Sequence, residues 1–240
     1  MLEQIIETFS ALPWENRIAA LNNYADKSIA FSTSLSFEDQ VITHLIAHDG
    51  APVTLFTLDT GRLFEETHKV AQETRDKYKN IHIETLYPDA QKTQDLVKNQ
   101  GINGFFESLE KRKNCCGVRK VEPLNRALKG VDIWISGLRR AHSENREDLP
   151  IAEMDTARGI IKLYPLIDVE EDTLKDYIRA HDIPYNELHD KGFPSIGCAP
   201  CTRAIQKGEP MRAGRWWWEQ DDSQECGLHM VDGKLVRIKG

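Results

Sequence analysis

The residues of this chain best suited to chemistry are its cysteines, 5 in all, and their spacing divides them into three sets. Cys115 and Cys116 are adjacent, inside the basic run Lys111-Arg-Lys-Asn-Cys-Cys-Gly-Val-Arg-Lys120. Cys198 and Cys201 form a Cys-x-x-Cys within Gly197-Cys-Ala-Pro-Cys-Thr202, and Cys226 stands apart in Glu225-Cys-Gly-Leu-His229. A disulfide between neighbours needs a strained ring, because a bridge wants its Cα atoms farther apart than one peptide step. Zinc sites draw ligand pairs from Cys-x-x-Cys-like knuckles, and Cys115-Cys116 is not one. An iron–sulfur cubane spreads its ligation points over its irons, so adjacent thiolates can reach different metals, and Cys198 with Cys201 completes a four-thiolate set. Such a cluster is an anion, which accounts for Lys113, Arg119 and Lys120 beside it. Cysteines alone leave three readings open: a cluster, a zinc site, or buried small hydrophobes beside a turn. Cys226 is then the free nucleophile.

The elements that must position these residues alternate between strand and helix patterns. Strands are predicted at Ser28–Ser32, Val53–Leu58, Ile81–Leu86, Val131–Ile135 and Gly159–Tyr164. Helices are predicted at Glu38–Ala47, Phe64–Tyr78, Ala90–Asn99, Gly117–Leu128 and Glu171–His181. This alternation predicts an α/β fold with a mostly parallel, Rossmann-like sheet covered by helices on both faces, and ligands beyond the carboxyl ends of the strands. Before it, Leu2–Ser10 and Pro13–Tyr24 read as two helices that cap the domain or serve a subunit contact, which leaves room for a homo-oligomer. The length suits one domain over 1–240: N-terminal helices in 1–25, a core in 28–220 and a tail in 221–240 that carries Cys226 and is expected to move.

Three polar loops fall at the expected strand ends. Ser32-Thr-Ser-Leu-Ser-Phe-Glu-Asp39 offers hydroxyls, amides and a helix N-terminus, an anion cradle or a simple helix cap, and it lacks the Walker pattern. Asp59-Thr-Gly61 is a single copy on an α/β scaffold, unlike the paired β-rich sites of aspartic proteases, and by itself reads as a turn. Gly137-Leu-Arg-Arg-Ala-His-Ser-Glu-Asn-Arg146 carries Arg139, Arg140 and Arg146, whose forks suit phosphate or sulfate oxygens.

Composition narrows the partners. A hydrophobic content of 40% and a charged content of 29% are those of a soluble globular protein, and no apolar run approaches the ~20 residues of a membrane span. The acidic, amphipathic N-terminus is unlike a signal peptide, and an odd cysteine count suits a reducing compartment, so a cytoplasmic location is expected. A net charge of −7 argues against nucleic acid, while local basic runs suit a small anionic substrate.

Cys115-Cys-x-x-Arg-Lys120 with Val121-Glu-Pro-Leu124, Cys198-x-x-Cys201-Thr-Arg, Arg215-Trp-Trp-Trp-Glu219 and Glu225-Cys-Gly-Leu-His229 together resemble the assimilatory adenylyl-sulfate and phosphoadenylyl-sulfate reductases, of the iron–sulfur type. The likeness runs from about residue 28 to the C-terminus. It implies an adenine nucleotide alpha hydrolase-like fold with a modified pyrophosphate loop containing Ser34, Ser36, Glu38 and Asp39; relatives often have glycine at the Ser36 position. It further implies that Leu58, Asp59, Thr60 and Gly61 lie beside the adenosine, and that Lys120, Arg146, Arg212, Arg215 and His229 hold the phosphosulfate. One [4Fe-4S] cluster per chain on Cys115, Cys116, Cys198 and Cys201, a nucleophilic Cys226, and thioredoxin or glutaredoxin as external reductant complete the expectation. Cluster-containing members mostly take adenylyl sulfate, so that substrate is favoured over its 3′-phosphorylated form. A non-catalytic, nucleotide-binding redox sensor is the distant alternative, and it gives Cys226 no task.

Overall fold

In the computed structural model of the chain, which describes residues 1–142 and 148–219, the apolar run Ile29-Ala-Phe31 is buried on both sides, as a central strand requires. It belongs to β1 (Ile29–Thr33), the middle of a six-stranded sheet that also contains β2 (Thr54–Leu58), β3 (Ile83–Leu86), β4 (Ile133–Ile135), β5 (Ala152–Asp155) and β6 (Ile160–Leu163). The order is β3-β2-β1-β4-β6-β5, parallel throughout except for β5, which runs antiparallel to β6 at the edge. Because β1 pairs with β2 on one side and β4 on the other, the chain leaves these strands in opposite directions. A crevice opens there at their carboxyl ends.

One face of the sheet packs Ile29, Phe31, Leu55, Ile133 and Leu163 against α2 (Phe37–Asp49), α7 (Glu171–Ala180) and α1 (Leu2–Ala11), the last inserting Ile5 and Phe9. The opposite face packs Ala30, Phe56, Trp134 and Ile160 against Leu124 and Leu128, from α6 (Glu122–Ala127) and its end. Two further helices, α3 (Glu65–Lys77) and α4 (Ala90–Gln100), follow β2 and β3 in the chain. Among the described residues no helix is long and apolar enough to cross a membrane.

Three segments differ from the sequence reading, the first being β5 (Ala152–Asp155), where no strand is predicted. Pro13–Tyr24 is two 3-10 turns, Trp14–Asn16 and Ala19–Tyr24, in place of one helix. Arg17 lies between them, donating to Phe9 O at 3.1 Å, to Pro165 O at 2.8 Å and to Asp168 at 2.6 Å, and this buried anchor overrides local helix propensity. The helix expected at Gly117–Leu128 starts earlier, as α5 (Leu109–Cys116), whose charged sequence has no apolar stripe to announce it. A π-turn, Gly117–Val121, joins α5 to α6 just before Pro123. Proline cannot donate to the helix ladder, and a wide turn ahead of it accommodates the missing bond. Cys115 and Cys116 thus end α5, and Lys120 lies in the π-turn itself.

Candidate active site

At the carboxyl ends of β1, β2 and β4 lies a cleft of about 230 Å³. Its walls are Ser32 near the end of β1 with Ser34 and Ser36 after it, Thr57 and Leu58 at the end of β2 with Thr60 after it, and Ser136, Gly137 and Leu138 after β4. Cations enter from outside the sheet: Lys120 from the π-turn, and Arg212 and Arg215 from the segment past α7. That segment is returned to the site by a bridge between Thr202 and Arg215, where Arg203 N donates to Gly214 O at 2.9 Å.

The loop after β1 takes its shape from local bonds. Leu35 has φ +62°, a left-handed conformation uncommon for a side chain with a Cβ, and its amide donates to Thr33 Oγ1 at 3.0 Å. Ser36 is extended, φ −79°, so the strained position is Leu35 and Ser36 has no need to be glycine. Ser34 donates to Asp39 Oδ2 from its amide at 2.5 Å and from its hydroxyl at 2.6 Å. Burial pushes the Asp39 carboxyl up to about 7, against the Ser34 donors and the Gly137 amide, while the Glu38 charge adds to the rise. Gly137 must be glycine, since a Cβ there would meet Asp39 Oδ1 at 2.2 Å. Arg139, 1% exposed, donates to Glu38 Oε1 at 2.9 Å and clamps the same two loops together.

Behind Lys120 lies a second, smaller cavity, about 20 Å³, lined by all of Cys115, Cys116, Cys198 and Cys201 together with Arg62, Arg112, Arg119, Lys120 and Phe105. None of these four cysteines is in a disulfide. The Asp59–Gly61 turn joins the two cavities: Thr60 lines the cleft, its hydroxyl lies 3.2 Å from Cys198 Sγ, and its carbonyl accepts from Arg119 at 2.7 Å. The Cys198 turn is fixed in return, with Ala199 N donating to Arg62 O at 2.8 Å.

Burial pushes the Cys201 thiol up to about 12, and the neighbouring Cys198 and Cys116 push it the same way; burial and Cys198 also raise Cys115. Cys115 and Cys201, whose ionisation burial and neighbouring cysteines oppose while adjacent cations favour it, fit a bound group carrying positive metal charge, which would deprotonate its thiol ligands outright. Among the described residues no three His, Cys, Asp or Glu side chains are arranged to hold a single ion. The fit therefore rests on the shared cavity and the thiol chemistry.

Residues 28–204 match the family described as the phosphoadenosine phosphosulfate reductase domain. The chain belongs to this family. The adenosine 5′-phosphosulfate reductase of Sinorhizobium fredii strain USDA 257 is 51% identical over 207 residues, covering 86% of this chain and 82% of that protein. The protein of the same name from Allochromatium vinosum is 48% identical over 202 residues, covering 84% and 78%. Among solved structures, the phosphoadenylyl-sulfate reductase of Candida auris, a phosphate complex, superposes with a TM-score of 0.70 at 25% identity, covering 85% of this chain and 96% of that one. The FMN adenylyltransferase of Candida glabrata, in complex with FAD and inorganic pyrophosphate, reaches 0.54 at 15% identity over 96% and 78%, and shows the shared fold alone.

In this phosphoadenosine phosphosulfate reductase family member, Ser34, Ser36, Glu38, Asp39, Leu58, Thr60, Lys120, Arg212 and Arg215 all reach the cleft wall. Glu38 and Asp39 reach it with oxygens already bonded to Arg139 and Ser34, so they shape the loops. Asp59 and Gly61 do not line the cleft; Asp59 Oδ1 accepts from the Gly61 amide at 2.8 Å and forms the turn. Neither Arg139 nor Arg140, which the sequence suggested for anion oxygens, lines the cleft; Arg139 donates to Glu38 and Arg140 Nε to Leu149 O. Lys113 is exposed and does not line the four-cysteine cavity, whereas Arg62 and Arg112, which the sequence reading missed, do. A helical count would have found Arg112, one turn before Cys115 and Cys116 on α5. Arg146, Cys226 and His229 lie outside the described residues.

Proposed function

We propose that this protein reduces adenylyl sulfate to sulfite and AMP, using Cys226 as nucleophile and an external dithiol, thioredoxin or glutaredoxin, as reductant. The observation that carries the reading is Lys120, which lies on the wall of both the polar cleft and the four-cysteine cavity. Membership of the family and the names of relatives near 51% identity support the substrate.

The proposed chemistry is balanced by thiol exchange alone. The Cys226 thiolate attacks the sulfuryl sulfur, the bond from that sulfur to the bridging phosphate oxygen breaks, and AMP departs with the electron pair. An S-sulfocysteine remains on Cys226. A thiolate of the dithiol attacks Cys226 Sγ, releasing sulfite and leaving a mixed disulfide; its second thiolate then closes the partner's disulfide and frees Cys226. Lys120, Arg212 and Arg215, with Arg146 and His229, hold the phosphosulfate oxygens and neutralise charge on the departing phosphate. The Ser34–Ser36 loop turns the N-terminus of α2 toward the same anion, its two hydroxyls being bonded to Asp39 and Glu38. Leu58 and Thr60 flank the nucleoside.

Cys115, Cys116, Cys198 and Cys201 would hold one [4Fe-4S] cluster. When bound, it supplies a fixed charge and a covalent tie between α5 and the Cys198 turn, next to Lys120. Cys226 and the tail belong to the same reductase domain as the rest of 1–240. Sulfite release in the presence of thioredoxin, measured with adenylyl sulfate and with its 3′-phosphorylated form, tests the reading. Turnover of adenylyl sulfate at the higher kcat/KM is expected; turnover of neither nucleotide would overturn it.

A further inference from the structure

Trp134 lies on β4 with its indole on the face opposite α2, and it is 1% exposed. Its Nε1–H donates to Ser32 Oγ at 2.8 Å. Indole nitrogen can only donate, so Ser32 is held as an acceptor at that contact, and its own proton is turned away from the ring. Among the described residues no acceptor is present for that proton. Both residues line the cleft.

The indole is fixed from the far side by charge. Lys162 stands opposite Trp134 in the β4–β6 register, with Nζ 5.6 Å from the ring centroid, and the Arg158 guanidinium lies 5.8 Å from it. Lys162 is 1% exposed and bonded to Asp155, 0% exposed, at 3.2 Å; Arg158 reaches the same carboxylate at 2.7 Å. A buried ion pair under an apolar sheet face is a costly feature that two hydrophobes would replace at little loss of stability. Here both charges come from the antiparallel β5–β6 hairpin, and the two cations on Asp155, Lys162 and Arg158, both lie over the Trp134 ring.

The surroundings of Ser32 say what it meets. On its face of the sheet the cleft wall continues with Leu58 and Trp134, both uncharged strand residues, whereas Lys120, Arg212 and Arg215 arrive from segments outside the sheet. The uncharged wall suits the nucleoside half of a ligand whose anionic half lies on the cations. We infer that Ser32, oriented by Trp134, donates a hydrogen bond to an acceptor atom of the bound nucleoside and is a specificity-determining residue, with Trp134 as a positioning residue. This rests on the nucleotide reading given above.

The test is equilibrium binding of AMP, and of 2′-deoxy, 3′-deoxy, 1-deaza, 3-deaza and 7-deaza AMP, to wild type, Ser32→Ala, Ser32→Thr and Trp134→Phe. Ser32→Ala is expected to weaken AMP by roughly 3- to 12-fold, the range of one neutral hydrogen bond. Ser32→Thr restores binding, and Trp134→Phe, which leaves the hydroxyl but frees its rotation, falls between. One acceptor-deleted analogue should lose that same factor in wild type and nothing further in Ser32→Ala, a coupling that a merely structural serine would not show. Equal AMP affinity in wild type and Ser32→Ala, or losses that add for every analogue, would overturn the inference while leaving the nucleotide reading intact. Failure of wild type to bind AMP would overturn both.

Discussion

Lys120 lines both the cleft and the four-cysteine cavity, and its ammonium is the charge a phosphosulfate would meet on that wall. Lys120→Ala should lower kcat/KM for adenylyl sulfate by roughly 10- to 100-fold, the range of a hydrogen bond to a charged group, with Lys120→Arg recovering part of it. Arg215 is positioned more tightly. It is 5% exposed, its Nε is buried without a partner, and a Cβ on Gly197 would meet its NH2 at 2.3 Å. Gly197→Ala should therefore displace the guanidinium and reduce kcat/KM much as Arg215→Ala does. The double variant should be no worse than Arg215→Ala alone, whereas additive losses in these rates would show that Gly197 acts elsewhere. Residue type made the cysteines legible, whereas Lys120, Arg212 and Arg215 were singled out as substrate contacts by the family resemblance. Arg139 and Arg140 misled because a guanidinium reads the same in a sequence whether it meets a ligand or a buried Glu38.

At the scale of elements, α5 is tied to the chain after the tryptophans by a buried ion pair. Arg112 donates to Glu219 at 2.5 and 2.9 Å, the side chains are 3% and 9% exposed, and the guanidinium lies 4.3 Å from the Trp216 ring centroid. Removing one partner of such a pair strands the other. Arg112→Met should destabilise the fold by about 3–5 kcal/mol in chemical denaturation, and Arg112→Met with Glu219→Leu should recover most of that loss. A double variant as unstable as the single one would mean that Arg112 acts through Trp216 or the cysteines instead. The strands and most helices of this fold were legible because their apolar periodicity is local. α5 was not, because Leu109-Glu-Lys-Arg-Lys-Asn-Cys-Cys116 is held by tertiary charge and a Ser108 cap, and β5 was not, because Ala152–Asp155 is a short edge strand whose Asp155 faces Lys162. The π-turn, too, is a consequence of packing beyond what spacing reveals.

For the whole molecule, titration and catalysis give separate tests. Burial lowers His189 and His44 from 6.5 to about 4, so below pH 6.5 the unfolded chain binds more protons than the folded one. Their contribution to stability is complete above about pH 6.5 and is lost as pH falls toward 4. Asp39 has the opposite sign: raised from 3.8 to about 7, it costs stability as pH climbs through that window. His189→Phe, which keeps a ring against Phe37, should flatten the fall in Tm between pH 6.5 and 5; an unchanged acid limb would exclude His189 as a cause. The central claim, that the cleft presents an activated sulfate to Cys226, concerns the chain as a unit. Its most direct measurement is the intact mass of the protein mixed with adenylyl sulfate before any reductant is added, followed by peptide mapping. One added sulfo group on the peptide containing Cys226, absent in Cys226→Ser and removed by thioredoxin with release of sulfite, is the predicted result; no adduct, or one on Cys198 or Cys201, would contradict it.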